Sequence, residues 1–132
     1  MLAQILVSVF LALHGLVHLL YFAQSYKIFE LKPHMTWPVG SWALTRALGE
    51  SGTRAFTSAF CVLVAVGLLL GAVGLLAGQA WWRPSVAASA AVSALLFLLT
   101  WNGQLQNIDG QGGIGILLDI LVLVTILVFR WP

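Results

Sequence analysis

Two histidines and one aspartate lie within the most apolar stretches of this sequence. His14 and His18 are four residues apart in the run 4–25, and Asp119 lies in the apolar run that follows Gly113. Imidazole and carboxylate side chains can donate or accept hydrogen bonds, exchange protons and bind metal ions. Inside a membrane such groups are costly, so their presence indicates a partner or a task. His14, His18 and Asp119 are therefore the candidate site.

A helix over residues 4–25 collects its polar and small side chains on one face, because successive residues turn by about 100°. His14 lies at the edge of this face, and the rest of the helix is apolar. The residues on the face itself are Gln4, Ser8, Gly15, His18 and Ser25. The pattern predicts a helix that faces lipid on most sides and turns its polar face toward protein.

The composition indicates a polytopic membrane protein. The chain is 61% hydrophobic and only 8% charged, with a mean hydropathy of +1.00, whereas a soluble domain carries about 25% charged residues. We therefore predict an all-α fold, an integral membrane four-helix bundle that forms a single transmembrane domain over 1–132. The predicted spans are 2–24, 53–78, 84–101 and 114–130, and the long first connection, 25–52, forms a surface lid.

Three further features bound the class of protein. The first span has no basic segment before it and no small-residue cleavage site after it, so we expect a retained span rather than a signal peptide. Cys61 is the only cysteine and cannot form an internal disulfide, which favours a packing role. With a net charge of +2 and no lysine or arginine cluster, no nucleic-acid partner is predicted.

The connection 25–52 is predicted to lie at the membrane surface and to cover the site. Ser41 can cap a short helix over 42–48, which Gly49 would end. His34 lies in this connection and is expected to be a surface residue. The residues assigned to the lid and to the entrance of the site are Trp37, Trp42, Trp101 and Asn102.

Two spans carry faces of small residues, which allow close helix packing in lipid. One bundle needs about one such face, so two faces indicate an additional partner, either other membrane subunits or a second copy. The residues are Gly67, Gly71, Gly74 and Gly78 on the second span, and Ala87, Ala91 and Ala94 on the third.

The number of spans predicts the depth of the polar residues. Four spans place both termini on one side and the lid with the 102–113 turn on the other. His18 and Asp119 would then each lie about six residues, or roughly 9 Å, below the lid side, with His14 one turn deeper. We therefore predict a His18–Asp119 pair, direct or through a bound group, or an Asp119 near both histidines.

The basic residues predict the orientation. The positive-inside rule places the lid side in the cytoplasm, because it carries four lysines and arginines against two on the other side. These residues are Lys27, Lys32, Arg46 and Arg54 near the lid, and Arg83 and Arg130 opposite.

The chemistry of the site has three open interpretations. It could be a structural hydrogen-bond network, a site for haem or another tetrapyrrole, a quinone or a metal, or a proton or ion relay, including a proton-coupled transporter. For a tetrapyrrole, an imidazole would be the ligand and Gly15 would leave room for the flat ring. No HExxH, CxxC or Ser/His/Asp arrangement occurs, so no metal site or catalytic residue is assigned. The chain is not expected to be an enzyme on its own.

The run His14-Gly15-Leu16-Val17-His18-Leu19-Leu20-Tyr21-Phe22 resembles the first span of small bacterial four-helix membrane proteins of uncharacterised function. The overall layout is similar to DoxX-like bundles. This resemblance implies a bacterial inner-membrane protein that belongs to an oxidoreductase assembly. The two faces of small residues and the lack of catalytic candidates favour a small integral subunit or accessory protein of a larger membrane assembly, and the resemblance implies that this assembly is a redox or energy-converting one. The alternative is a self-contained membrane protein or enzyme that binds one of the ligands above.

Overall fold

The long apolar runs of the sequence form the helices of the fold. A computed structural model describes all residues from Met1 to Pro132. It is all-α, as predicted, with four helices and no strands. The elements are α1 (Leu2–Ser25), α2 (Leu44–Leu76), α3 (Trp82–Thr100), a 3₁₀ turn (Leu105–Asn107) and α4 (Gly113–Leu123), which continues as a π-helical turn (Val124–Val128).

Three of the helices, α1, α2 and α3, are long and apolar enough to cross a membrane. The last helical segment, Gly113–Val128, is apolar but shorter. At 1.5 Å per residue it measures about 24 Å, against a hydrocarbon thickness of about 30 Å. Many large apolar side chains on the outside of the bundle are exposed, for example Leu13 and Leu117, as expected for a surface that faces lipid.

Each helix packs against its neighbour in sequence, α1 on α2, α2 on α3, and α3 on α4. The backbones of α1 and α4 do not approach closely enough to pack. The lid end holds the segment between α1 and α2, where the Trp42 amide donates to the Trp101 carbonyl (2.9 Å). At the opposite end, the Arg83 guanidinium donates to the Arg130 carbonyl (2.7 Å). Only side chains bridge α1 and α4 in this arrangement.

The glycine face of α2 packs inside the chain, against α3. A Cβ at Gly67 would collide with Ser89, and one at Gly71 would collide with Val86. Gly78 has a different role from the one predicted: it has φ +67°, faces open space and follows the end of α2. In lipid, close approach of this kind stabilises helix pairs by packing. The face is therefore occupied and is not free for a partner subunit.

The lid begins at the end of α1, as predicted, but the short helix within the lid starts later than predicted. The short helix begins at Leu44 rather than at residue 42, and the Ser41 hydroxyl accepts hydrogen bonds from the amides of Ala43 (3.2 Å) and Leu44 (2.9 Å). Gly49 (φ +73°, ψ −178°) breaks the helix, which then resumes directly. The second span is thus helical from Glu50 onward, before the predicted residue 53.

Two polar side chains near the end of α1 fix the lid to the bundle. The buried Gln24 amide nitrogen donates to the carbonyls of Met35 (3.0 Å) and Trp37 (3.1 Å). The Arg54 guanidinium donates to the Ser25 carbonyl (3.1 Å), at the C-terminus of α1, where a cation is favourable. Neither role is among the predictions from the sequence.

Candidate functional site

The candidate site is centred on a hydrogen bond between α1 and α4. His14 Nε2 and Asp119 Oδ1 are 2.7 Å apart. Both residues are buried: 6% of the surface of His14 and 0% of the surface of Asp119 is exposed. The backbones of the two helices do not pack, so side chains make the link: this polar contact, with the apolar core that includes Leu11 and Val122. All three predicted site residues, including His18 at 1% exposed, lie inside the bundle.

Asp119 bonds His14 rather than His18, so of the predicted alternatives the direct His18–Asp119 pair is not formed. The reason lies at the lid end, where the Tyr21 hydroxyl donates to the Gly110 carbonyl (3.2 Å). Since α1 continues to Ser25, this contact places the chain just before α4 more than one turn below the end of α1. The helix α4 begins at Gly113, three residues after Gly110, and Asp119 lies six residues into it. His14 lies seven residues before Tyr21, so Asp119 and His14 lie at about the same depth. The predicted pair required α1 to end and α4 to begin at the same level.

His18 links α1 to α3 instead. Its Nδ1 is 2.8 Å from the His14 carbonyl, and its Nε2 is 2.7 Å from Ser93 Oγ. A carbonyl can only accept, so Nδ1 carries the hydrogen, and in the neutral ring Nε2 accepts from the Ser93 hydroxyl. Both ring nitrogens are therefore engaged. Ser93 was not predicted, although a serine in the middle of an apolar span is a signal for such a contact.

The His14–Asp119 pair has unused hydrogen-bonding capacity. Asp119 Oδ2 is buried and has no partner. His14 Nε2 is the ring nitrogen that bonds the carboxyl group, and Nδ1 makes no hydrogen bond. Buried polar atoms without partners are rare in proteins because they lose their hydration without compensation. The arrangement therefore favours a site that takes up a proton, a water molecule or a ligand.

Aromatic rings pack on both sides of the two histidines, toward the lid and away from it. Phe10 stacks on His14 (5.7 Å between ring centroids), while Phe97 lies against His18 (5.5 Å). Above them, Tyr21 packs edge-on against Phe97 (4.9 Å) and against Trp37 (5.1 Å). Trp37 comes from the lid and is only 1% exposed. It therefore plugs the lid end of the bundle rather than opening an entrance there.

The other three residues assigned to the entrance lie above this plug. Trp42 is 59% exposed, and its indole N–H donates to the Leu98 carbonyl (2.7 Å). Trp101 and Asn102 are half-buried and begin the loop after α3. Asn102 lines a polar surface cavity of about 230 Å³, together with His34. None of the three contacts the His14–Asp119 pair.

A tetrapyrrole bound by His18 beside Gly15 does not fit this arrangement. His18 would have to give up one of its two hydrogen bonds to act as an axial ligand. A Cβ at Gly15 would lie 3.2 Å from the Ala65 carbonyl oxygen and from Leu68 Cβ, so Gly15 packs against α2 and leaves no room for a ring. No three His, Cys, Asp or Glu side chains lie close enough to hold a metal ion.

Cys61 lies within an apolar cluster of α2, α3 and the lid. It is fully buried and packs with Trp37, Leu96 and Phe97. This position fits the packing role expected from the sequence.

Comparisons of this chain with protein-family models, with curated proteins and with solved structures find no match. The resemblance to DoxX-like bundles stays a prediction from the first span and the layout. The case for a function therefore depends on the geometry of the His14–Asp119 pair.

Proposed function

We propose that this chain is a small integral membrane subunit or accessory protein of a larger redox or energy-converting membrane assembly, in which the His14–Asp119 pair binds and releases a proton. The observation that carries the proposal is the buried Asp119 carboxyl group, bonded to His14 through one oxygen and without a partner at the other. Groups of this kind within a membrane mark proton and ion pathways.

The pair can hold a variable number of protons while keeping its hydrogen bond. With Asp119 ionised, His14 Nε2–H donates to Oδ1, and the pair can take a further proton at His14 Nδ1 or at Asp119 Oδ2. Either atom is free of other hydrogen bonds in the structure. In a medium of low dielectric constant, adding a proton to an ionised carboxyl group removes a buried charge. The site is thus suited to exchange protons rather than to hold a fixed charge.

A proton site of this kind does work only when another reaction supplies or consumes the proton. Most of the chain is helical bundle, and the segments outside it are the lid and short turns. No cluster of metal ligands is present to run redox chemistry on its own. The coupled reaction is therefore assigned to a partner protein.

The surface for that partner is smaller than the sequence indicated. The α2 glycine face is already packed against α3. On α3, Ala87 packs against the core of the chain, and the half-buried Ala91 and Ala94 remain as the candidate contact. We place the assembly in a bacterial inner membrane with the lid in the cytoplasm, following the excess of lysine and arginine at that end. A reporter fused after Pro132 tests this orientation.

Purification in mild detergent, followed by native mass measurement, tests the assignment as a subunit. We expect a complex heavier than the 14.2 kDa chain, because the alanine face needs a partner in lipid. Ala91→Leu should release the chain from the complex, whereas Leu95→Ala on the same helix, which is exposed to lipid, should not. A monomer with turnover of its own would show that the chain is not a subunit.

A further inference from the structure

A polar cavity lies between the end of α1, the lid and α2. Its volume is about 320 Å³, which is room for about ten water-sized groups at about 30 Å³ each. Two cations, Lys27 and Arg54, and one carboxylate, Glu30, line it. The other lining residues are Gln24, Phe29, Met35 and Thr36. The cavity therefore presents charges of both signs to a ligand.

The position of the cavity along α1 places it among lipid headgroups. The helix α1 has 24 residues and is about 36 Å long, whereas the hydrocarbon core of a bilayer is about 30 Å thick. Gln24, which lines the cavity, belongs to the last turn of α1. Tyr26 and Phe29 follow directly and are exposed, as is usual for aromatic residues at a membrane interface. A phospholipid is therefore the molecule that this cavity meets.

The backbone at the end of α1 brings Lys27 to the cavity in a conformation that glycine usually adopts. The Lys27 amide donates to the Gln24 carbonyl (3.2 Å). The next amide, of Ile28, donates to the Ala23 carbonyl (2.8 Å). These two bonds form a Schellman motif, and Lys27 (φ +64°) is its left-handed residue. A lysine there is strained, and strain of this kind is common at functional positions.

The charged groups of the cavity have hydrogen-bonding capacity left for a ligand. One oxygen of Glu50 lies 3.8 Å from Lys27 Nζ and 4.0 Å from Arg54 Nε. Both distances are too long for hydrogen bonds, but they show that one anionic oxygen can approach both cations. The Arg54 guanidinium gives three of its five N–H groups to backbone carbonyls of α1 and of the lid. One oxygen of Glu30 accepts from the His34 amide (3.0 Å), and the other is free.

These groups match a zwitterionic head that carries a phosphate and a primary ammonium. Phosphate oxygens accept hydrogen bonds from lysine and arginine, and both cations stabilise the phosphate charge. A primary ammonium donates up to three hydrogen bonds, which suits the free oxygen of Glu30. A quaternary ammonium has no N–H to donate, and an anionic head without an ammonium leaves Glu30 unmatched.

We propose that this cavity binds the headgroup of phosphatidylethanolamine, with its phosphate between Lys27 and Arg54 and its ammonium at Glu30. The acyl chains would lie against the exposed Tyr26 and Phe29. A lipid bound in this way joins the end of α1 to the lid and to α2, because all three line the cavity. The site does not involve Asp119 and goes beyond the proposed proton exchange.

Native mass measurement of the purified chain in mild detergent, with lipids of identical acyl chains added, tests the inference. Phosphatidylethanolamine should bind about tenfold more tightly than phosphatidylcholine, because only the former can donate hydrogen bonds to a carboxylate. Phosphatidylglycerol keeps the phosphate but has no ammonium, and it should also bind more weakly. Equal binding of the three lipids, or a preference for either of the other two, would overturn the inference.

A soluble competitor identifies the source of the headgroup. O-phosphoethanolamine has the same charged groups as the lipid but no acyl chains. At equal concentration it should leave the bound lipid in place, because the chains contribute apolar contacts. Displacement of the lipid would assign the cavity to a soluble compound and would reject the lipid.

Replacing Lys27 tests the phosphate contact without a loss of structure. Lys27→Gly should weaken the binding of phosphatidylethanolamine about tenfold. The fold should persist, since glycine is the usual residue at this left-handed position, and thermal unfolding without added lipid checks this. The matched control is Lys32→Gln, at an exposed lysine of the lid that lines a different cavity. Equal losses in the two variants would show a general attraction between lysines and phosphate and would contradict the site.

The two carboxylates near Lys27 should have opposite effects. Glu30→Gln should remove the preference for phosphatidylethanolamine over phosphatidylcholine, because the amide does not stabilise the ammonium charge. Glu50→Gln should strengthen binding by up to about fivefold, because the Glu50 carboxylate competes with the phosphate for Lys27. A preference that survives in Glu30→Gln, or weaker binding in Glu50→Gln, would contradict the placement of the headgroup.

Discussion

Replacing His14 with leucine should destabilise the bundle by about 3 kcal/mol, because it leaves a buried carboxyl group without any partner. In the structure, His14 provides the single hydrogen bond to Asp119. Removing it forces an ionised Asp119 to remain alone in the apolar interior or to take up a proton. Thermal unfolding of the purified variant in detergent measures the loss.

A double-mutant cycle isolates the pair from the general cost of a substitution. His14→Leu with Asp119→Leu should be more stable than His14→Leu alone, because the orphaned carboxyl group is gone. Leu13→Ala, at a neighbouring position that is 58% exposed, should change stability by less than about 0.5 kcal/mol. Additive effects of the two leucine substitutions would show that the hydrogen bond does not hold α1 to α4.

Replacing Trp37 with alanine should cost about 3–5 kcal/mol, the usual loss for a large aromatic residue removed from a core. Trp37 is 1% exposed and packs against Tyr21 and Phe97. Its removal leaves a cavity at the lid end, directly above the aromatic rings that shield His18. Thermal unfolding measures the loss, and amide hydrogen exchange near the end of α1 should become faster.

Trp42 provides the matched control for the lid. It is 59% exposed, and its main contact is one hydrogen bond from the indole to the Leu98 carbonyl. Trp42→Ala should therefore cost only about 1 kcal/mol. If the two tryptophan substitutions had equal effects, the lid would not plug the bundle through Trp37.

The helices were predictable because each follows from a long apolar run, and the burial of His14, His18 and Asp119 follows from the cost of polar groups in lipid. Which histidine bonds Asp119 was not predictable. The pairing depends on how deep in the bundle the loop before α4 lies. The Tyr21–Gly110 hydrogen bond shows this depth, and it joins residues that are distant in sequence.

The lid shows a second limit of sequence analysis. Gln24 and Arg54 are polar residues near helix ends, and such residues are usually solvated. In the fold, both turn inward to bond backbone carbonyls of α1 and of the lid. Trp37 was assigned to an entrance because tryptophan is common at membrane surfaces, but it fills the interior. In each case the direction of the side chain depended on the chain folding back.

Infrared difference spectroscopy of the carboxyl group tests the central claim most directly. The claim is that Asp119, bonded to His14, exchanges a proton inside the membrane. In protein reconstituted into lipid, the band of a protonated, buried carboxyl group should change in intensity when the pH of the medium is changed. Asp119→Asn should abolish the change, and Asp109→Asn, at an exposed position, should leave it intact. A carboxyl band that does not respond to pH, or a change that persists in Asp119→Asn, would contradict the account.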